Sequence, residues 1–230
     1  MAPSTRVIQV HRPLASSPLE EQLCQRYKTA RLRALKEDPQ AFSSTYEQES
    51  KFNHADWAKR LRNPLGKTFA VVRTEAGNNA TEIEHLTGNE WLGMIVFIGP
   101  RALPADGSES NTPWKPFLPP ADNNEAPSLA SIEGSEAAYV AVSMFVLAEA
   151  RRQGLGRKLI GAGVEAVRQE AISMRATRAN VGLWVEADNK PSQRLYEECG
   201  FSFLPKDPAL QGGLGVDSQV VMGKVIELSG

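Results

Sequence analysis

Only two cysteines, Cys24 and Cys199, occur in 230 residues. One bridge is arithmetically possible and nothing requires it, so a disulfide scaffold is excluded and a reducing compartment is expected. Histidine is almost as scarce, with His11, His54 and His85 alone. A lone histidine is more often structural or solvated than chemical, and no metal site is expected. No run of about eighteen apolar residues occurs, so nothing reads as a membrane span. The N-terminal stretch MAPSTRVIQVHRP has no apolar centre, so it does not read as a secretory signal. Asn79-Ala80-Thr81 is then a chance glycosylation sequon, and a cytoplasmic location is expected. Charge of one sign is missing too: 26 Lys+Arg stand against 27 Asp+Glu. That balance gives no support to nucleic-acid or membrane-surface binding. There is also no G-x-x-x-x-G-K-[ST] string, which excludes a Walker A loop.

What is present describes one domain over 1–230 carrying irregular loops, with 41% apolar residues, 18 Gly and 15 Pro. A strand is expected at 7–11 and a helix at 18–35. Ser17 would cap that helix, Pro18 sits in its first turn and Asp38-Pro39 stops it. Leu19, Leu23, Tyr27, Ala30 and Ala34 share a face by their spacing. A second helix is expected at 55–62. Strands are expected at 68–73 and 91–98, joined as a hairpin through a polar tip containing Gly77-Asn78-Asn79. The 99–136 segment is a long insertion rich in Pro, Ser and Asn, with Trp114 and Phe117 among its prolines. Two readings stand: a disordered surface insertion, or a flap over an acceptor site anchored by one of those aromatics. Then follow strand 138–146, helix 159–171, strand 181–185, helix 191–199 and closing strands at 201–204 and 219–226. A glycine loop at 212–215 lies between the last two.

The run Arg151-Arg152-Gln153-Gly154-Leu155-Gly156-Arg157-Lys158 is the strongest chemical signal. It follows a strand and opens a helix. Its glycines permit close approach of backbone to an anion. Helix N-terminal N–H groups and the helix dipole favour negative charge at the same place, and the arginines suit a ligand with several charges. The Rossmann fingerprint does not fit, because Leu159 stands where its third small residue belongs. A formal match at Gly161-Ala162-Gly163-Val164-Glu165-Ala166 lies inside the helix and reads as small residues packing on a sheet.

The run resembles the acyl-CoA loop of the GNAT superfamily of N-acetyltransferases, Q/R-x-x-G-x-G/A, with Arg151, Gly154 and Gly156 in the signature positions. Downstream, Leu183-Trp184-Val185-Glu186-Ala187-Asp188-Asn189 resembles that family's fifth strand. SQRLYEECGF, from Ser192 to Phe201, resembles the helix that follows. The specific likeness covers 139–203. It implies an α/β (α+β) fold: a central, mostly antiparallel mixed sheet, splayed between strands four and five and flanked by helices. It also implies acetyl-CoA as co-substrate, without a metal. The acceptor would be a primary amine, of a small molecule or a peptide. Acetylation of a protein N-terminus or lysine, and a non-catalytic acyl-CoA-binding domain, are the alternatives. A monomer or a homodimer is expected.

Acyl transfer needs fixed reactants, a donor for the developing oxyanion, a neutral amine and a proton for the departing thiolate. By the resemblance, backbone N–H groups of Arg152, Gln153, Gly154, Leu155, Gly156 and Arg157 would surround the pyrophosphate, with Arg151 as an anion contact. The Val146 backbone would bond the pantetheine arm, and the N–H near Met144 or Phe145 would polarise the thioester carbonyl. Asn189 and Ser192 would contact the cofactor, Asn189 also suiting a helix cap. Tyr196 would protonate the thiolate, although a helical tyrosine also suits core packing. Some family members place a glutamate base where this chain has Val140; Glu186 is the best replacement, ahead of the histidines or a water relay.

Overall fold

The computed structural model describes residues 4–12, 17–74, 80–118, 128–205 and 218–228. These belong to two compact units, Met1–Val96 with Ser143–Ala162, and Phe97–Val142 with Gly163–Gly230. Seven strands are hydrogen-bonded in the order β1-β2-β3-β4-β5-β7-β6. They are β1 (Ser4–Val10), β2 (Gly66–Thr74), β3 (Trp91–Leu103), β4 (Glu136–Val146), β5 (Arg178–Glu186), β6 (Ser202–Phe203) and β7 (Gln219–Glu227). With the helices below, this is the mixed α/β architecture expected from sequence.

In the first unit β1 and β2 run antiparallel, from Ser4↔Thr74 to Val10↔Thr68. The helix α1 (Pro18–Glu37) starts where Ser17 accepts a hydrogen bond from the Glu20 N–H at 3.2 Å. Leu23, Tyr27, Ala30 and Ala34 are buried as the spacing requires, but Leu19 is 46% exposed. It lies in the first turn, before the helix comes under its neighbours. Two short helices follow, α2 (Tyr46–Glu49) and α3 (His54–Arg62), each opened by a capping box, Thr45 with Gln48 and Asn53 with Asp56. The expected polar hairpin tip is corrected by α4 (Glu82–Gly88). The Thr81 N–H donates to the Glu84 carboxylate at 2.7 Å, closing a third box. The turn signal at 77–79 lies outside the described residues.

In the second unit β4 and β5 are parallel, β5 and β7 antiparallel, and β6 pairs with β7. β3 continues past 98 to Leu103. A turn at Lys115–Phe117 and the short α5 (Leu129–Ile132) follow it. Trp114 is fully buried, its ring 6.2 Å from that of Trp184. For the described part of 99–136, the reading as a disordered surface insertion therefore does not hold. The glycine loop at 212–215 falls outside the described residues. The last helices are α6 (Leu155–Ser173) and α7 (Lys190–Glu198).

The small residues inside α6 have unequal roles. A Cβ at Gly163 would overlap the Phe97 ring, whereas one at Gly161 meets nothing within 4 Å. Gly163→Ala should destabilise by about 1 to 3 kcal/mol through overpacking. Gly161→Ala should be neutral or stabilising by up to about 1 kcal/mol through helix propensity. Equal melting temperatures for the two variants would contradict this packing.

Candidate active site

The chain leaves β4 at Val146, makes a 3-10 turn at Ala148–Ala150 and enters an exposed loop. Arg152 has φ 62° and Gly154 φ 73°. These two left-handed residues turn the chain so that the Gly154 carbonyl accepts the first helical bond, from the Lys158 N–H at 3.1 Å. The N–H groups of the first turn of α6 are then directed out of the helix end. A Cβ built on Gly154 meets nothing within 4 Å. The space beside this backbone is open, as a bound anion requires. Arg152, Gln153 and Arg157 are exposed around it, Gly156 is half-buried, and Leu155 anchors the turn in the core.

Arg151 is placed differently from a simple anion contact. Its Nε donates to the Val146 carbonyl at 2.9 Å, and its Nη2 pairs with Asp38 at the end of α1. The side chain thus fixes the end of β4 and spends part of its charge on Asp38.

The strand before the loop is also unusual. Pairing of β4 with β5 runs from Glu136↔Arg178 to Val140↔Gly182. Past that point Val142, Ser143 and Met144 are half-buried, and Ser143 has φ 55°. A left-handed serine within a strand interrupts the regular alternation of side chains. Phe145 is buried, and its ring meets Phe42 edge-on at 6.4 Å. The Arg31 guanidinium lies 4.5 Å over Phe42. Arg31 and Arg60 both bind Glu49, each at 2.8 Å. Burial would raise the Glu49 carboxyl, but the two guanidinium groups outweigh it and hold it at about 2.

In the second unit, Asn189 caps α7, its Oδ1 accepting from the Ser192 N–H at 3.2 Å. Gln193 Nε2 donates to the Glu186 and Ala187 carbonyls at 2.9 and 3.0 Å. Both Glu186 carboxylate oxygens are engaged, by Ser218 Oγ at 2.7 Å and Gln219 Nε2 at 2.6 Å. Tyr196 is buried and packs edge-on against Phe201 at 5.8 Å. Burial, and after it Cys199, push its phenol above the ordinary value of 10. Val140 is buried among apolar side chains, so no carboxylate stands at that position. His11, His54 and His85 all lie in the first unit. His85 is buried against Asn89, and His54 is 3.8 Å from Glu20.

Residues 118–201 match the family model described as Acetyltransferase (GNAT) family. Residues 118–201 belong to the GNAT acetyltransferase family. Solved GNAT structures share the fold across nearly the whole chain at low identity. NAA60 of Arabidopsis thaliana in complex with acetyl-CoA is 14% identical, covering 99% of this chain and 100% of its own, with a TM-score of 0.51. A putative acetyltransferase of Acinetobacter baylyi is 12% identical, covering 99% and 95%, at 0.55. The ribosomal L7/L12 alpha-N-protein acetyltransferase RimL with coenzyme A is 10% identical, covering 91% and 92%, at 0.52. No curated protein matches the chain significantly.

The GNAT segment holds the basic loop, the interrupted end of β4 and α7. Sequence reasoning found the loop and α7 from their motifs. It missed the Phe42–Phe145 contact and the left-handed Ser143. No local signal marks the first, since residues 42 and 145 meet only by folding. Nothing in the residue type announces the second, as serine at positive φ is uncommon.

Proposed function

We propose that this chain is an acetyl-CoA-dependent N-acetyltransferase acting on the primary amine of a small molecule. The observation that carries the reading is the Arg152–Gly154 turn at the N-terminus of a nineteen-residue helix, with open space at Gly154. Bound acetyl-CoA supplies the activated acetyl group as a thioester. The N–H groups of 152–157 hold its pyrophosphate, and Arg152 and Arg157 balance its charge. The Val146 backbone bonds the pantetheine arm. The N–H of Met144 or Phe145 polarises the thioester carbonyl. Asn189 and Ser192 contact the cofactor beside their capping bond. Tyr196, kept protonated by burial, donates its proton to the leaving thiolate. Glu186 is the candidate base; each oxygen keeps a second lone pair beyond the bond it already accepts.

The test is a pair of substitutions at one position. Gly154→Ala and Gly154→Glu share the strain of a side chain at φ 73°. Only the glutamate adds bulk and negative charge in the anion position. Gly154→Glu should weaken CoA binding by at least ~2 kcal/mol, about thirtyfold in Kd. Gly154→Ala should bind within a few-fold of the parent. Titration calorimetry on both folded variants decides, and unchanged binding by the glutamate variant removes the loop from the site. A thiol-release assay over an amine panel then separates catalysis from mere acyl-CoA binding. Acetylation of a protein N-terminus is the second reading, favoured by the likeness in fold to RimL. Peptides in that panel discriminate it.

A further inference from the structure

The β4–β5 ladder ends at Val140↔Gly182. Side chains alternate along a strand, so Val142 and Trp184 occupy the next positions on the face of that last pair. Both are half-buried. They pack against a buried cluster of Trp114, Val140 and Val221. Trp114 reaches this face because β5 carries no side chain at Gly182. A Cβ there would stand 3.0 Å from Pro113 Cγ and 3.5 Å from Trp114 Cε3. The two indoles are tilted, with ring centroids 6.2 Å apart.

Neither indole Nε1 has a hydrogen-bond partner, although both atoms are shielded from solvent. Tryptophan can only donate there, and buried donors in folded proteins are nearly always paired. Two unpaired donors on neighbouring rings fit an acceptor atom that arrives from outside the chain. The cluster contains no carboxylate and no cation, so a charge on the body of the occupant would be desolvated without compensation.

We propose that this face binds the body of the acceptor amine, and that this body is an apolar arene bearing a neutral hydrogen-bond acceptor such as an ether or carbonyl oxygen. The inference rests on the N-acetyltransferase reading above. Trp114 and Trp184 are its specificity-determining residues: their rings stack on the arene and their N–H groups bond its oxygen. Val142 lies two residues before Met144, a separation of about 6.6 Å along a strand. A two-carbon aminoalkyl arm spans most of that, which directs the amine toward the position proposed for the thioester.

The experiment measures kcat/KM for para-methoxyphenethylamine, para-ethylphenethylamine, spermidine and a short peptide, in the parent, Trp184→Phe and Trp114→Phe. The methoxy and ethyl substrates match in size and differ in one acceptor oxygen. The parent should prefer the ether by about tenfold, the worth of one buried hydrogen bond. Spermidine and the peptide should be far poorer than either. Phenylalanine keeps an aromatic ring and deletes the N–H, so the ether preference should vanish in at least one variant while acetyl-CoA affinity stays constant. Trp184 is half-exposed, so its variant reports even where Trp114→Phe fails to fold. A parent without ether preference, a preference that survives in every folded variant, or spermidine or peptide as the best substrate overturns the inference alone. If acetyl-CoA binds and no amine is acetylated, the N-acetyltransferase reading fails and this inference fails with it.

Discussion

Tyr196→Phe lowers kcat by roughly 10- to 1,000-fold, the range of one acid–base group, and leaves acetyl-CoA affinity nearly unchanged. The substitution keeps the ring that packs on Phe201 at 5.8 Å and removes only the hydroxyl. Folding should therefore be preserved. The pH profile supplies a second readout. Burial and Cys199 raise the Tyr196 phenol above its ordinary 10, so the proton it donates is retained throughout the working range. kcat/KM should rise with pH as the amine substrate loses its proton. Tyr196 should impose no descending limb below about pH 10. An unchanged kcat under conditions where chemistry limits the rate would take Tyr196 out of the mechanism. A lowered melting temperature with full activity would assign it to packing.

Glu49→Ala should destabilise the protein by about 3 to 5 kcal/mol, because it leaves two cations without their partner. Glu49 is 1% exposed and holds Arg31 from α1 and Arg60 from α3. Arg31 itself is 5% exposed and cannot turn to solvent without unpacking. In a chain of this size the loss corresponds to a fall in melting temperature of about 10 °C. The same carboxylate makes the first unit acid-sensitive. Its folded value of about 2 lies below the ordinary 4.5. The stabilisation is thus complete above about pH 4.5 and is lost as pH falls from there toward 2, on the order of 3 kcal/mol in all. Denaturant titrations at pH 7 and pH 3 measure it in the parent. In Glu49→Ala the pH dependence over that interval should shrink by a similar amount, and an unaltered pH dependence would refute the assignment.

By itself the sequence determined the elements whose causes are local. Ser17 and Pro18 placed the start of α1, and apolar spacing identified Leu23, Tyr27, Ala30 and Ala34 as its buried face. The glycines and arginines of 151–157 marked the turn before α6, and Asn189 its cap on α7. Such features need only neighbours in the chain, so they are legible there. The capping box Thr81-Glu82-Ile83-Glu84 was equally legible and was outweighed by an adjacent turn signal. Tertiary structure alone decided everything that joins distant residues. Arg151 binds Asp38 and the Val146 carbonyl, which no spacing foretells. Glu186 has both oxygens occupied by Ser218 and Gln219, which a free carboxylate in a sequence does not reveal. Gly163 and Gly161 look alike in the chain, and only the Phe97 ring separates them. Trp114 sits in a proline-rich segment of irregular composition, yet it is buried because Gly182 leaves room for it on β5. Close packing makes each of these outcomes depend on the shape of a partner far along the chain, and that shape exists only once the chain has folded.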